Sequence, residues 1–201
     1  MSTGLLGGTF DPPHNGHLAL ARAALRELEL DRLLVMVAGR PPHKEALTDP
    51  ETRYRLASAA FEEVPDVILP RDELDRSGPG YTVETVQDLE RRFDDLVVVV
   101  GGDMFASYPT WREPDRILEH ARLAVAARPG TSPEDFDEVL GQLERPDRVV
   151  FFDMPPVDIS ASKVRRHLAA GEEYADLVPP PVARLIAELG LYRNQRGSAV
   201  N

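Results

Sequence analysis

The stretch GGTFDPPHNGHL, residues 7–18, sets His14 and His17 three positions apart around an Asn-Gly turn, directly after a pair of glycines and before a helical pattern. Glycines at the end of a strand let a ligand come close to the main chain. A helix start offers unpaired N–H groups and the positive end of its dipole, a ready anion site. Two imidazoles at that mouth add side-chain donors suited to phosphate oxygens and to charge on a transferring phosphoryl group. A second stretch, ISASKVRRHL at 159–168, has the same logic. Ser160 is a good N-cap, and Arg165 stands about one turn into the helix, where side chains lean back toward the N-terminus. Its guanidinium can then take phosphate oxygens two at a time. Each stretch also has a plainer reading. A bare H-x-x-H is more often a turn with one surface and one core histidine. A capped helix with surface arginines is as common as a phosphate site. A metal pair at His14 and His17 lacks a third ligand at an obvious spacing, and the chain has no cysteine.

These residues need elements to hold them. Apolar runs at 3–8, 32–39, 66–70, 96–102, 121–130 and 147–154 read as buried strands. Between them lie helical patterns at 15–30, 50–64, 82–92, 103–107, 114–120 and 132–144, then 160–171 and 181–190. Asp49 followed by Pro50 marks a helix start, and Thr82 by itself reads as another N-cap. Alternating strands and helices imply βαβ units and a parallel sheet covered on both faces. The expectation is one doubly wound α/β domain over 1–193, of five to six strands. A small helical C-terminal extension (159–193) carries the second motif, and a disordered tail follows at 194–201. Ligands in such sheets bind beyond the strand carboxyl ends, so 8–17, 39–44 and 101–111 should share one edge.

Composition sets the outer bounds. The chain has 201 residues and a formal net charge of −11, which argues against nucleic acid or an anionic membrane as partner. An anionic substrate must then be held by local positive potential; His14, His17 and Arg165 are the expected cationic exception. No basic leader with an apolar stretch opens the sequence, and no apolar run is long enough to span a bilayer, so the expected compartment is the cytoplasm.

The string G-G-T-F-D-P-x-H-x-G-H closely resembles the signature of the nucleotidyltransferases that carry H-x-G-H. ISASKVR resembles their second motif, I-S-S-T-x-I-R, with Ala161 and Val164 as departures. GGDMFASYPTWRE (101–113), GYTVETV (80–86) and AGRPPHK (38–44) are similar to segments of the bacterial nicotinate-nucleotide adenylyltransferases, with Gly80 in place of the usual Ser. The resemblance covers most of the chain. It implies a Rossmann-like fold and adenylyl transfer from ATP, accompanied by Mg2+, to nicotinate mononucleotide. It further implies catalytic roles for His14, His17, Lys44 and Arg165. Contacts to ATP would come from Gly7, Gly8, Thr9, Phe10, Gly101, Asp103, Ile159, Ser160 and Ser162. Tyr81, Thr82, Trp111 and Arg112 would hold the pyridine mononucleotide, Trp111 by stacking and the amides near Trp111 and Arg112 by binding its carboxylate. No protein-bound metal is implied, and a homo-oligomer is compatible. Three other readings stay open: transfer to nicotinamide mononucleotide or phosphopantetheine, a non-catalytic nucleotide sensor, and a metal hydrolase.

Overall fold

The computed structural model describes residues 1–41, 45–127 and 133–193, with the backbone alone at 133 and 134. Six parallel strands form one sheet: β1 (Ser2–Gly8), β2 (Arg32–Val37), β3 (Val67–Ile68), β4 (Asp95–Gly101), β5 (Arg122–Ala127) and β6 (Val149–Asp153). Their spatial order is β3-β2-β1-β4-β5-β6, so the order reverses between β1 and β4. That reversal opens a crevice at the carboxyl ends of the strands, beyond Gly8 and Gly101.

Successive strand residues face opposite sides, which splits the core in two. Leu6, Val35, Val37, Val97, Val99, Ala124 and Ala126 pack under α1 (Asn15–Glu27) and α2 (Pro50–Phe61). Leu5, Leu34, Met36, Val98, Val100, Leu123 and Val125 pack under α3 (Thr82–Glu90) and the helix that follows the short α4 (Gly102–Phe105), namely α5 (Pro114–His120). A single turn, α6 (Asp137–Leu140), precedes β6. The last two helices, α7 (Ala161–Ala170) and α8 (Pro180–Leu189), bury Val164, Leu168, Val182 and Ile186 in the first of these cores. This helical C-terminal part packs onto the same core as α1 and α2.

Several expected boundaries move, each for a local reason. α1 stops at Glu27 instead of Leu30, because Glu29 turns left-handed (φ 48°) and Leu30 swings into the core beneath Gly4. A Cβ on Gly4 would lie 2.6 Å from Leu30 Cδ1 and Leu33 Cδ1, so a larger residue there would have to displace both leucine tips. β2 ends at Val37, since the carbonyls of Ala38 and Gly39 turn to the guanidinium of Arg53. β3 is reduced to two residues at the sheet edge. The helix expected over 132–144 is a 3₁₀ turn (Pro133–Phe136) and then α6, the break letting Phe136 reach Phe105 and Phe151, with ring centroids 5.4 Å away in both cases. The N-cap of α3 is Tyr81, not Thr82, which is the helix's first residue. The expected tail at 194–201 lies outside the described residues.

Candidate active site

The histidine loop leaves β1 through Phe10, whose positive φ of 51° turns the chain and drops its ring into the core. Phe10 therefore meets any nucleotide through its main chain. Its side chain instead supports His17, with ring centroids 4.9 Å apart. His14 is the N-cap of α1 in extended backbone. Its main-chain N–H donates to Nδ1 of His17 (3.1 Å), and the two imidazoles stack at 3.7 Å. An amide N–H can only donate, so Nδ1 of His17 is an acceptor, and a neutral ring then carries its proton on Nε2. Gly16 is glycine because a Cβ there would lie 3.0 Å from Nδ1 of His14 and 3.4 Å from the Ile159 carbonyl.

His14 is only 8% exposed, and burial pushes its pKa down to about 4. It is uncharged at neutral pH, which corrects the expectation that it belongs to a cationic cluster. Its Nδ1 is buried with no partner among the described residues.

The second motif meets the first at close quarters. Ser160 caps α7 by accepting from the Lys163 N–H (3.1 Å), as its sequence position requires. One turn on, Arg165 donates through Nη1 to the main-chain oxygen of Asp11 (2.6 Å) and through Nη2 to Ser162 Oγ (3.2 Å). The guanidinium thus stands over the histidine loop, 154 positions away in sequence. Ile159, Ser160 and Ser162 come with it. Gly7 and Gly101 end neighbouring strands, and a Cβ on either would meet nothing within 4 Å. Internal packing does not demand glycine there; open space over both strand ends suits a ligand lying against the backbone. Thr9 and Asp103 stand just past the same two strands, Asp103 exposed in the single turn of α4. Lys44 lies outside the described residues.

Two residues that sequence reasoning did not single out hold this loop. Arg53, on α2, is 1% exposed and donates to four carbonyls: Thr9 (2.9 Å), Ala38 (2.6 Å), Gly39 (2.9 Å) and Thr48 (3.1 Å). One guanidinium therefore ties together the loops that follow β1 and β2. Burial lowers its pKa, and the charge of Asp11 opposes that fall. Asp11, 5% exposed, accepts from the Leu47 N–H (2.7 Å), Thr48 Oγ1 (2.6 Å) and Tyr192 Oη (2.6 Å). The signal for Arg53 is its spacing: it shares the buried stripe of α2 with Leu56, Ala57 and Ala60. A charge on an apolar face needs built partners.

Across the crevice, Arg112 stacks over the Tyr81 ring at 4.4 Å and bonds Glu84 (3.3 Å), bringing Tyr81, Thr82, Trp111 and Arg112 together. Trp111 is half-buried and rests on Tyr108, centroids 5.2 Å apart. Its N–H is already given to the Tyr108 carbonyl (2.9 Å), so it is not a donor to a ligand as expected. The Arg112 amide and the first N–H groups of α3 are the main-chain donors on this side. The arrangement therefore offers two polar walls, one of imidazole and guanidinium and one of aromatic rings with amides, separated by a glycine-lined strand edge.

A family model described as cytidylyltransferase-like matches residues 5–167. A relative from Thermus thermophilus, named a probable nicotinate-nucleotide adenylyltransferase, is 42% identical over 195 residues, 96% of this chain and 100% of its own. One of the same name from Clostridium tetani is 34% identical over 198 residues, 94% of this chain and 98% of its own. The fold is also that of Plasmodium falciparum nicotinic acid mononucleotide adenylyltransferase complexed with NaAD, at a TM-score of 0.76 and 16% identity over 95% of this chain and 97% of that one. No helix among the described residues is long and apolar enough to cross a membrane. With both motifs folded onto one strand edge and relatives matched end to end, the chain belongs to the nicotinate-nucleotide adenylyltransferases of the cytidylyltransferase-like family.

Proposed function

We propose that the protein transfers the adenylyl group of ATP to nicotinate mononucleotide, giving nicotinate adenine dinucleotide and pyrophosphate. The observation that carries this reading is the junction of the two motifs, where Arg165 bonds the loop that bears His14 and His17. The nucleophile is an oxygen of the mononucleotide's 5′-phosphate, already ionised at neutral pH, so no general base is needed. It attacks the α-phosphorus; the bond to the bridging oxygen breaks, and pyrophosphate leaves with that electron pair. Catalysis then consists of placing two anions in line and spreading the charge that develops. The His17 Nε2 proton and the Arg165 guanidinium are donors for those oxygens, and the first N–H groups of α7 add a dipole. A neutral His14 contributes a hydrogen bond without bringing a positive charge of its own.

Magnesium would arrive on the triphosphate. The donors at α7, namely Ser160, Ser162 and Arg165, suit phosphate oxygens rather than a metal, as expected for an ion carried by its substrate. Trp111 and Tyr81 form the aromatic side of a slot for a pyridine ring, with the Arg112 amide and the start of α3 turned to its carboxylate. On this reading the protein acts in NAD synthesis, and its nucleotide substrates favour the cytoplasm as its compartment. Purified protein given ATP, magnesium and nicotinate mononucleotide should release one pyrophosphate for each nicotinate adenine dinucleotide formed. Pyrophosphate release independent of the mononucleotide would point to a hydrolase instead.

A further inference from the structure

Asp11 is buried with a guanidinium on its main-chain oxygen that does not bond its carboxylate. Arg165 bonds the main-chain oxygen of Asp11, while the side-chain oxygens are taken by Thr48, Leu47 and Tyr192. Oδ1 receives two hydroxyls at once, Thr48 Oγ1 and Tyr192 Oη, each at 2.6 Å. Tyr192 comes from the far end of the chain, just beyond the left-handed Gly190 that ends α8. Its own backbone is left-handed as well (φ 61°), which turns the ring back onto the core. Tyr192, Arg165, Ser162 and Leu47 line one cavity of about 440 Å³.

We propose that Tyr192 is a positioning residue for nucleotide binding: by saturating Asp11, it keeps the Arg165 guanidinium available to the phosphates of ATP. A buried carboxylate short of donors draws a nearby cation; Arg53 is already committed to four carbonyls, whereas Arg165 holds only the Asp11 main-chain oxygen and Ser162. Remove the tyrosine hydroxyl, and Arg165 is the group able to replace it, at the cost of its grip on the nucleotide. The C-terminal segment is thereby coupled to the phosphate site without touching the substrate. The proposal rests on the assignment of Arg165 to ATP phosphates made above.

The test is calorimetric titration of the full chain with α,β-methylene-ATP and magnesium, which needs no acceptor substrate. Tyr192→Phe keeps the ring in the core and removes only the hydroxyl. It should weaken binding about 3–10-fold, the size of one hydrogen bond's effect. In an Arg165→Ala background the same change should cost less than about twofold, because the group it positions is gone. Thr48→Val, which strips the other hydroxyl from the same oxygen, should give the same pattern and stands in if Tyr192→Phe does not fold. Equal losses in both backgrounds, or wild-type affinity in Tyr192→Phe, would overturn the proposal while leaving the activity reading intact. A wild-type protein that bound no analogue would overturn both.

Discussion

The main-chain N–H of His14 points at Nδ1 of His17 from 3.1 Å, so one histidine of the pair fixes the ring orientation of the other. Stacking at 3.7 Å and the edge of Phe10 hold the same ring from two further sides. A ring so restrained presents its outer nitrogen without reorganisation, which is the condition for stabilising developing charge. His17→Ala should therefore lower kcat by about 10²–10³ and change ATP affinity far less. Steady-state kinetics on the folded variant check this; near-wild-type turnover would remove His17 from the mechanism.

Arg165 has a different signature. If it grips the triphosphate in the ground state, as proposed, Arg165→Ala should act mainly on the KM for ATP. Loss of a charge-assisted contact of about 1.5–3 kcal/mol corresponds to an increase of roughly 10–150-fold. An unchanged KM with wild-type kcat would confine Arg165 to holding Asp11.

Arg53 predicts a stability effect with a kinetic consequence. Arg53→Met leaves four carbonyls without their donor and Asp11 without its buried counter-charge. Leaving buried acceptors unpaired costs about 1–3 kcal/mol each, so the loss should amount to several kcal/mol. Urea unfolding should show that loss, and Arg53→Lys should recover little of it, since an ammonium cannot reach carbonyls spread around a planar fork. A variant with wild-type stability would mean that the two loops hold themselves.

His14 gives a pH dependence with a defined sign. Its pKa is about 4 in the folded protein and 6.5 in the unfolded chain, so the unfolded chain takes up the proton first as pH falls. The stability it contributes is whole above about pH 6.5 and is lost as pH drops toward 4. At ~1.4 kcal/mol per pH unit the loss is about 3 kcal/mol across that window. The wild-type curve of unfolding free energy against pH should fall below that of His14→Asn by this amount. Parallel curves would contradict the burial of an uncharged imidazole.

Most of the sheet was legible because its strands are apolar runs long enough to have one reading, as at 96–100. β3 was overread because the run at 66–70 holds only Val67, Ile68 and Leu69 between Asp66 and Pro70, and an edge run need not pair along its length; only Val67 and Ile68 find partners on β2. Local pattern identified His14, His17, Ser160 and Arg165 because helix starts and glycine turns are local chemistry. It did not find Arg53, Asp11 and Tyr192, whose partners lie up to 181 positions away. The charge state of His14 was illegible for the same reason. It depends on what covers the ring, and sequence spacing carries no burial.

The most direct measurement is a competition. Purified protein, saturating magnesium ATP and equal concentrations of nicotinate and nicotinamide mononucleotide are mixed, and the two dinucleotide products are quantified at early times. A carboxylate can accept from the Arg112 amide and the start of α3 together, whereas an amide must turn its NH₂ toward one of those donors. A lost charged hydrogen bond and an unpaired donor cost roughly 3–5 kcal/mol, a preference for the acid on the order of 10²–10³ in kcat/KM. Nicotinate adenine dinucleotide in that excess is the predicted result; equal amounts of the two products, or none of either, would contradict the account.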